Sequence, residues 1–582
     1  MRPFTTVCRH MRARATPVPG LGPHGRRRAR RRARRSFVSS ASSDSSRGVP
    51  AEGLIWREED DFVRRFCDDT DADARAEVCA RCRPTPTGVE ATIGCVSAST
   101  ARLLGMETPD VYDAGFAALA SGNADWSSRS HACAYAGHQF GQWAGRLGDG
   151  RAHNIGTVIG GDGETLFDVQ LKGSGKTPYS RNGDGRAVLR SSLREYVASE
   201  AMAALGVPTT RSLALCATND GVVRMTASNY AVLEPGAVMT RVTETPGFVR
   251  FGSFEWLNSK GDDATTRKLL DYVIDSGMYS QEELSNARGT DARGSLLVAV
   301  ARRTGALVAK WQSLGFTHGV LNTDNMSIAG VTLDYGPFGF MEGYDIGYTP
   351  NSSDDERMYS YANQPAAVRW NVERLCDALT RVVDKRDRGR ALEAFDEAFR
   401  IELYATYTRK FGIWVRDDEE FEIVRSFQRI LQRGAFDFTT AHRYLGALAS
   451  TVVARGEYAT APSLASEMFV AIHAAMERAD DPFSDDVLRV QIAEFGDAYA
   501  QILLREDGDE DARRAAQDST NPLYVPRNHL LQEAIERATA EDWEYCRCLC
   551  EALSDPFERN EAFDEFARPA NPAENARCSR LS

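Results

Sequence analysis

The hydrophobic rhythm of this chain runs from strand to helix, back to strand, and then settles into helix. GTVIGGDGETLFDVQLKG (156–173) predicts two strands joined by a Gly-Gly-Asp-Gly turn, the second ending at Lys172. RAVLRSSLREYVASEAMAALG (186–206) takes helical spacing, with Leu189, Leu193, Tyr196, Val197 and Leu205 as its apolar stripe and Gly206 as its stop. Glu195 lies off that stripe, among Ser191, Ser192, Ala198 and Ser199, whose small side chains let a neighbouring strand come close. SLALCA and NYAVLEPGAVMTRV read as strands. After Ser253 the pattern is mainly helical. LLVAVARRTGALVAKWQSLG places Leu297, Val300, Ala301, Leu307, Val308, Trp311 and Leu314 on one helix, with Gly315 as its cap. Residues 51–135 alternate short helical stretches with Pro and Gly breaks and read as an N-terminal extension.

That long helix delivers the chain to HGVLNTDN (His318 to Asn325), followed nine residues later by Asp334 in LDYG. The two segments have the frame of the protein-kinase catalytic loop, H-R-D-L-x-x-x-N, and of the D-F-G metal triplet. Asn325 falls on the metal-binding Asn, and Asp334-Tyr335-Gly336 on the triplet. Val320 stands where a kinase carries its catalytic Asp, and an Asp appears instead at Asp324. The metal site is kept and the usual base is lost. Lys172 at a strand end and Glu195 on the next helix match the kinase ion pair; the alternative is a surface Lys and a Glu paired with Arg190 or Arg194. The element order predicts an α+β, protein-kinase-like two-lobed fold. The expected boundaries are a disordered segment over 1–47, an extension over 48–135, a small β-rich lobe over 136–235, a larger helical lobe over 236–470, and a helical C-terminal extension with a mobile tail over 471–582.

A nucleoside triphosphate needs backbone N–H donors, cations and metal around its phosphates. GRLGDGR (145–151) offers glycines for close backbone approach and Arg151 as a cation, although the same string also makes a plain hairpin turn. NGDGR (182–186) adds Asp184 and Arg186 ahead of the Glu195 helix. GSGKT (173–177) is not a phosphate loop, because Gln170 stands where the first Gly is needed and Pro178 blocks the helix that would follow. Asn325 and Asp334 carry the oxygen ligands that Mg²⁺ prefers, with Mn²⁺ as the other candidate. Asp324 is the candidate base; its alternative is a helix N-cap or a partner of the metal ligands.

Composition adds three constraints. The 582 residues are 42% hydrophobic and 26% charged, with no run of 18 apolar residues, so no membrane span is expected. Residues 1–47 carry thirteen Arg and one acid, Asp44; the rest holds 57 basic and 81 acidic residues, a net of −24, which argues against nucleic acid as a partner. The Arg- and Ser-rich stretch from Arg26 to Ser46 has the composition of an organellar transit peptide, mitochondrion favoured and plastid the other option. A basic tail or a nuclear-localisation patch is the alternative. Twelve scattered Cys read as packed, reduced thiols, Cys79 and Cys82 included. Cys546 and Cys550 share a helix face as core residues. Cys578 is expected to be exposed in a mobile tail.

YAGHQFGQWAGRLGDGRA, LKGSGKTPYSRNGDGRAVLRSSLREY, THGVLNTDNMSI, DYGPFGFM and NPLYVPRNHLLQEAI together resemble the selenoprotein O (YdiU) family, over about residues 90–535. The resemblance implies a pseudokinase that binds ATP in a flipped orientation. It implies transfer of AMP, with release of pyrophosphate, to Ser, Thr or Tyr hydroxyls of proteins. Matched motif by motif, the family's nucleotide contacts fall on Gly148, Gly150, Arg151, Lys172, Asp184 and Gly185, with two further arginines at Arg241 and Arg250. Its ion-pair Glu falls on Glu195, its base on Asp324, and its metal ligands on Asn325 and Asp334. RVTETPGFVR is about two residues longer than the family segment, which bears on Arg250. Many relatives carry a Cys just after the metal motif, where this chain has Pro350, so the family's disulfide to a C-terminal thiol lacks its loop partner. Cys578 matches that C-terminal redox position. The expected chain is a monomer whose partners are ATP and protein substrates. UMP transfer with Mn²⁺, a protein kinase with a relocated base, and a non-catalytic nucleotide-binding scaffold are the alternatives.

Overall fold

A computed structural model describes residues 54–578 apart from 59, 68–77, 111, 127–129, 226–229, 457 and 507. The Arg-rich segment 1–47 lies outside the described residues, and so does the transit-peptide expectation. The described part is mixed α/β, with a nine-stranded sheet sector and a larger helical sector.

The strands before residue 135 are β1 (Ile55–Trp56), β2 (Cys79–Arg81), β3 (Thr92–Val96) and β4 (His131–Cys133). The hairpin β5 (Ala136–Gln139) and β6 (Gln142–Arg146) follows, then β7 (Ala152–Ile159), β8 (Leu166–Lys172), β9 (Ala187–Val188), β10 (Arg211–Met225) and β11 (Ala231–Glu244). The sheet order is β2-β4-β7-β8-β11-β10-β3, with β1 on β7 and β9 on β11. The predicted β7–β8 hairpin is present, Thr157 opposite Asp168. Its turn closes on Asp162, whose carboxylate accepts from the backbone N–H of Glu164 and Thr165, both at 2.9 Å. Lys172 sits across from Met239 of β11 and Ala152 of β7, so its backbone is held on both sides.

The segment before residue 136, read from sequence as an extension of short helical stretches, holds such helices and also strands: β1 to β4 belong to the main sheet, and β3 pairs with β10. Strands of two to five residues are too short to show a period of two, and only the paired sheet edge defines them. The described C-terminal residues, up to Cys578, are ordered into a helix, Pro572–Cys578. Arg577 pairs with Glu536, and Arg568 meets Glu574 at 2.6 Å. One thiol expectation also changes, since Cys79 forms a disulfide with Cys67.

The helix Leu189–Ala204 begins three residues later than its sequence pattern, because Ala187 and Val188 find backbone partners on β11. It presses Leu193, Tyr196 and Val197 into the main apolar core, which runs on to Trp311 of the helix Ala292–Ser313. A second core forms among the later helices around Phe411, Phe427 and Phe495. No described helix is long and apolar enough to cross a membrane.

A buried ion cluster ties the chain's last quarter to the rest. Arg527 is fully buried and donates to both oxygens of Asp437, at 2.8 and 3.0 Å, and to Glu342. Asp437 also caps the helix Phe438–Arg455 by accepting from the N–H of Thr440 at 2.7 Å. Removing Arg527 would leave two carboxylates with little solvent and no cation. Arg527→Met is expected to cost about 3–5 kcal/mol by urea unfolding, and a loss below about 1 kcal/mol would show that water replaces the guanidinium.

Candidate active site

Every nucleotide, ion-pair, base and metal candidate singled out from sequence, Gly148 to Asp334, lines one cleft of about 770 Å³. Cys578 does not. The cleft floor is an ionic cluster centred on Asp334. Lys172 Nζ donates to Glu195 Oε2 at 2.6 Å and to Asp334 Oδ1 at 2.8 Å. Arg241 Nη1 donates to Glu195 Oε1 at 3.1 Å and also reaches Asp334 Oδ1. Arg250 Nη1 reaches Asp334 Oδ2 and donates to the backbone carbonyl of Asp324 at 2.7 Å. Glu195 therefore does not wait at an open helix face: it is buried between Lys172 and Arg241.

The elements explain how five distant residues meet. β8 supplies Lys172, β11 supplies Arg241, and the helix Leu189–Ala204 supplies Glu195. The chain turns back after β11 so that Arg250, at the start of the helix Phe251–Lys260, points at the same carboxylate. The longer RVTETPGFVR segment does not displace Arg250, whose guanidinium also stacks over Tyr135 at 4.6 Å. Asp334 has φ 58°, the left-handed region, which Asp tolerates better than most residues. Burial opposes its charge, but Arg250, Lys172 and Arg241 outweigh burial and hold its carboxyl well below the usual range. Burial pulls the Lys172 ammonium down, against Asp334 and Glu195.

The loop 318–325 is fixed from below. His318 is buried; its Nε2 lies 3.0 Å from the Leu333 carbonyl, which ties the loop to the Asp334 segment. Burial lowers its pKa, so the ring is neutral. Val320 lines the cleft. Asn325 Nδ2 donates to the Val320 carbonyl at 3.0 Å. Its Oδ1 accepts no hydrogen bond among the described residues, which leaves it for a cation. Asn325 Oδ1 and the Asp334 carboxylate are hard oxygen donors on one cleft, and their small number suits an ion that keeps phosphate and water ligands. The donor set fits Mg²⁺ or Mn²⁺.

Asp324 is the exception among the acids of the cleft, because among the described residues no cationic side chain pairs with its carboxylate. Gln139 Nε2 donates to both its oxygens, at 3.4 Å each. Gly137 lies directly opposite: a Cβ there would stand 2.7 Å from Asp324 Oδ1.

Other residues join the cluster from outside the candidate set. Asp149 is buried 3.8 Å from Arg250 and accepts from the Cys133 N–H at 3.0 Å. Gln170, which excludes a phosphate loop from the sequence, accepts from Arg241 Nε at 3.1 Å. Arg224 meets Asp184 at 2.6 Å. Cys578 is a free thiol, half-buried at the end of its helix; burial raises its pKa, against the pull of Arg194. Pro350 packs at the catalytic loop, where a Cβ on Gly319 would meet its Cγ at 3.0 Å.

Cations gathered on one carboxylate, beside glycine-rich turns and a second carboxylate without a cationic contact, suit a nucleotide-dependent transferase. The family model described as "Protein adenylyltransferase SelO" matches residues 88–554. "Protein nucleotidyltransferase YdiU" of Bordetella parapertussis is 39% identical over 501 residues, covering 84% of this chain and 93% of the relative. Proteins of the same description from Xanthomonas axonopodis pv. citri and Azoarcus sp. are each 38% identical, covering 86% of this chain and 93% of theirs. The chain belongs to the SelO family, and it is an enzyme of the nucleotidyltransferase class.

Burial pushes the Asp324 carboxyl from 3.8 up to about 6, against the pull of Arg250. A carboxyl that holds its proton more tightly folded than unfolded favours the fold at low pH. It costs stability once ionised, a cost absent below about pH 4 and complete above about pH 6. In metal-free protein Asp324→Asn is expected to gain on the order of 2 kcal/mol at pH 8 and nothing near pH 4. Equal gains at both pH values in urea titrations would show that packing, not ionisation, sets the difference.

Proposed function

We propose that this enzyme transfers AMP from ATP to Ser, Thr or Tyr hydroxyls of proteins and releases pyrophosphate, with Asp324 as the base. The observation that carries the reading is the contrast between the two acids of one cleft. Asp334 is held ionised by three cations, and Asp324 is buried, free of cationic partners and raised to about 6. A base poised near neutrality beside a cation cluster suits removal of a hydroxyl proton next to a phosphate.

The sheet sector and the helical sector are read as the two lobes of a kinase-like fold, with the cleft between them. In the step, the acceptor hydroxyl gives its proton to the Asp324 carboxylate and its oxygen bonds to the α-phosphorus. The bond from that phosphorus to the bridging oxygen breaks, and pyrophosphate takes the electron pair. Lys172, Arg241 and Arg250 are placed to hold phosphate charge, and Glu195 orients Lys172 and Arg241. The turns at Gly148, Gly150 and Gly185 offer backbone N–H groups, and Arg151 and Asp184 line the same cleft. Asn325 and Asp334 would hold a divalent ion, Mg²⁺ or Mn²⁺, which screens charge on the phosphate oxygens. The organellar reading rests on the Arg- and Ser-rich composition of residues 26–46; the relatives named above are bacterial.

ATP labelled separately on the α- and γ-phosphates tests the proposal. Label from the α-phosphate is expected on protein, with none from the γ-phosphate. The rate should fall about tenfold per pH unit below pH 6 as Asp324 takes up its proton. Asp324→Ala should lose transfer and keep most ATP affinity. Asp334→Ala should lose transfer roughly a hundredfold or more and still bind metal-free ATP, because three cations remain. Incorporation of γ-label that depends on Asp324 would make the enzyme a kinase. Unchanged AMP transfer by Asp324→Ala would remove the base assignment, and preference for UTP over ATP would shift the reading to UMP.

A further inference from the structure

Three thiols converge at the β3 edge of the sheet, on the face that carries Leu215, Met239 and Lys172. Cys95 lies in β3, and Cys546 and Cys550 lie one turn apart on the helix Glu544–Ser554. All three sulfur atoms lie within 4.8 Å of one another, and the Cys95–Cys546 pair is 3.5 Å apart. Cys95 and Cys546 are buried and Cys550 partly so. Cys548, between them in sequence, points elsewhere, its Sγ 3.8 Å from Glu544.

The surroundings are built rather than accidental. Arg547 Nε donates to the Gly94 carbonyl at 2.9 Å. Gly94 is held against the Trp543 ring so closely that a Cβ would stand 2.2 Å from its Cζ3. The strand and the helix are therefore locked face to face around the sulfurs. Tyr196, the neighbour of Glu195, is buried close enough to all three thiols to feel their charge.

We propose that Cys95, Cys546 and Cys550 form a three-thiolate site for a single thiophilic d¹⁰ cation, Zn²⁺ or Cu⁺. Thiolates about 2.3 Å from one ion stand about 4 Å from each other, within the spacing found here. Soft sulfur ligands select these ions over the hard ions of the nucleotide cleft. Three thiolates beside Arg547 carry a net charge of −2, which Zn²⁺ neutralises. Cu⁺ needs no fourth ligand, whereas Zn²⁺ would take a water on the partly exposed Cys550 side. On binding, each S–H proton leaves to solvent as an S–metal bond forms, with no change of oxidation state. The ion would clasp the C-terminal helix to β3 behind the helix that carries Glu195.

Reduced, metal-stripped full-length protein under anaerobic conditions tests this. Co²⁺ is used as a spectroscopic stand-in, followed by Zn²⁺, and Cu⁺ is delivered from a chromophoric chelator. One equivalent is expected, with a thiolate-to-Co²⁺ charge-transfer band that Zn²⁺ abolishes, or with one Cu⁺ withdrawn from the chelator. Bound ion should slow alkylation of Cys550 roughly tenfold or more and leave Cys548 unaffected. Cys546→Ser should weaken binding roughly a hundredfold, and Cys548→Ser should not. If Cys546→Ser fails to fold, the alkylation pattern of the unaltered protein still decides. Equal labelling of Cys550 with and without ion, no band, or a Cys95–Cys546 disulfide in place of metal would overturn the proposal.

Discussion

The carboxylate of Asp334 is the point on which the architecture balances. Lys172, Arg241 and Arg250 are three like charges held in a space that mostly excludes water, an arrangement that repels itself unless countercharge sits inside it. Asp334 and Glu195 supply most of that countercharge, and Asp149 beside Arg250 brings the cluster to neutrality. Each partner comes from a different element: two strands, a helix, a helix start and a loop. The cluster is thus the joint that sets strand against helix, and its charges are already matched.

The parts of this site that were legible in sequence are those whose spacing is fixed by local geometry. Lys172 ends a strand, Glu195 rides the next helix, and Asn325 and Asp334 keep the register of one loop. The displaced acid, Asp324, stood out because Val320 had vacated the usual place. Asp149, Gln170 and Gly137 were not legible, because their roles depend on what packs opposite them: Arg250, Arg241 and Asp324. The same limit explains the sheet. β7, β8, β10 and β11 are long enough to alternate visibly, whereas β1 to β4 are defined only by pairing with strands far away in sequence. Cys95 gave no signal at all, since its two partners lie on a helix near the other end of the chain.

The C-terminal segments act as a backing plate. Arg194, one residue from Glu195, donates to the Phe338 carbonyl at 2.8 Å and to Asn528 at 3.2 Å. The helix Asn528–Thr539 packs on the Glu195 helix. Arg527, one residue earlier, is anchored to Asp437 and Glu342. The helix that aims Glu195 is therefore held on one face by ions in the cleft and on the other by residues from the end of the chain.

The edge strand β3 has a consequence for how the molecule comes into being. Its residues emerge early in synthesis, but β10 emerges much later, and the Trp543 ring that covers Gly94 comes almost last. Until then β3 has no partner for its backbone and no cover for its apolar side. A chain with such long-range closure cannot finish its sheet domain by domain as it leaves the ribosome. The Glu195 helix gains its backing only once the chain is essentially whole, so a nascent or truncated copy would present the motif residues without the geometry that lets them work.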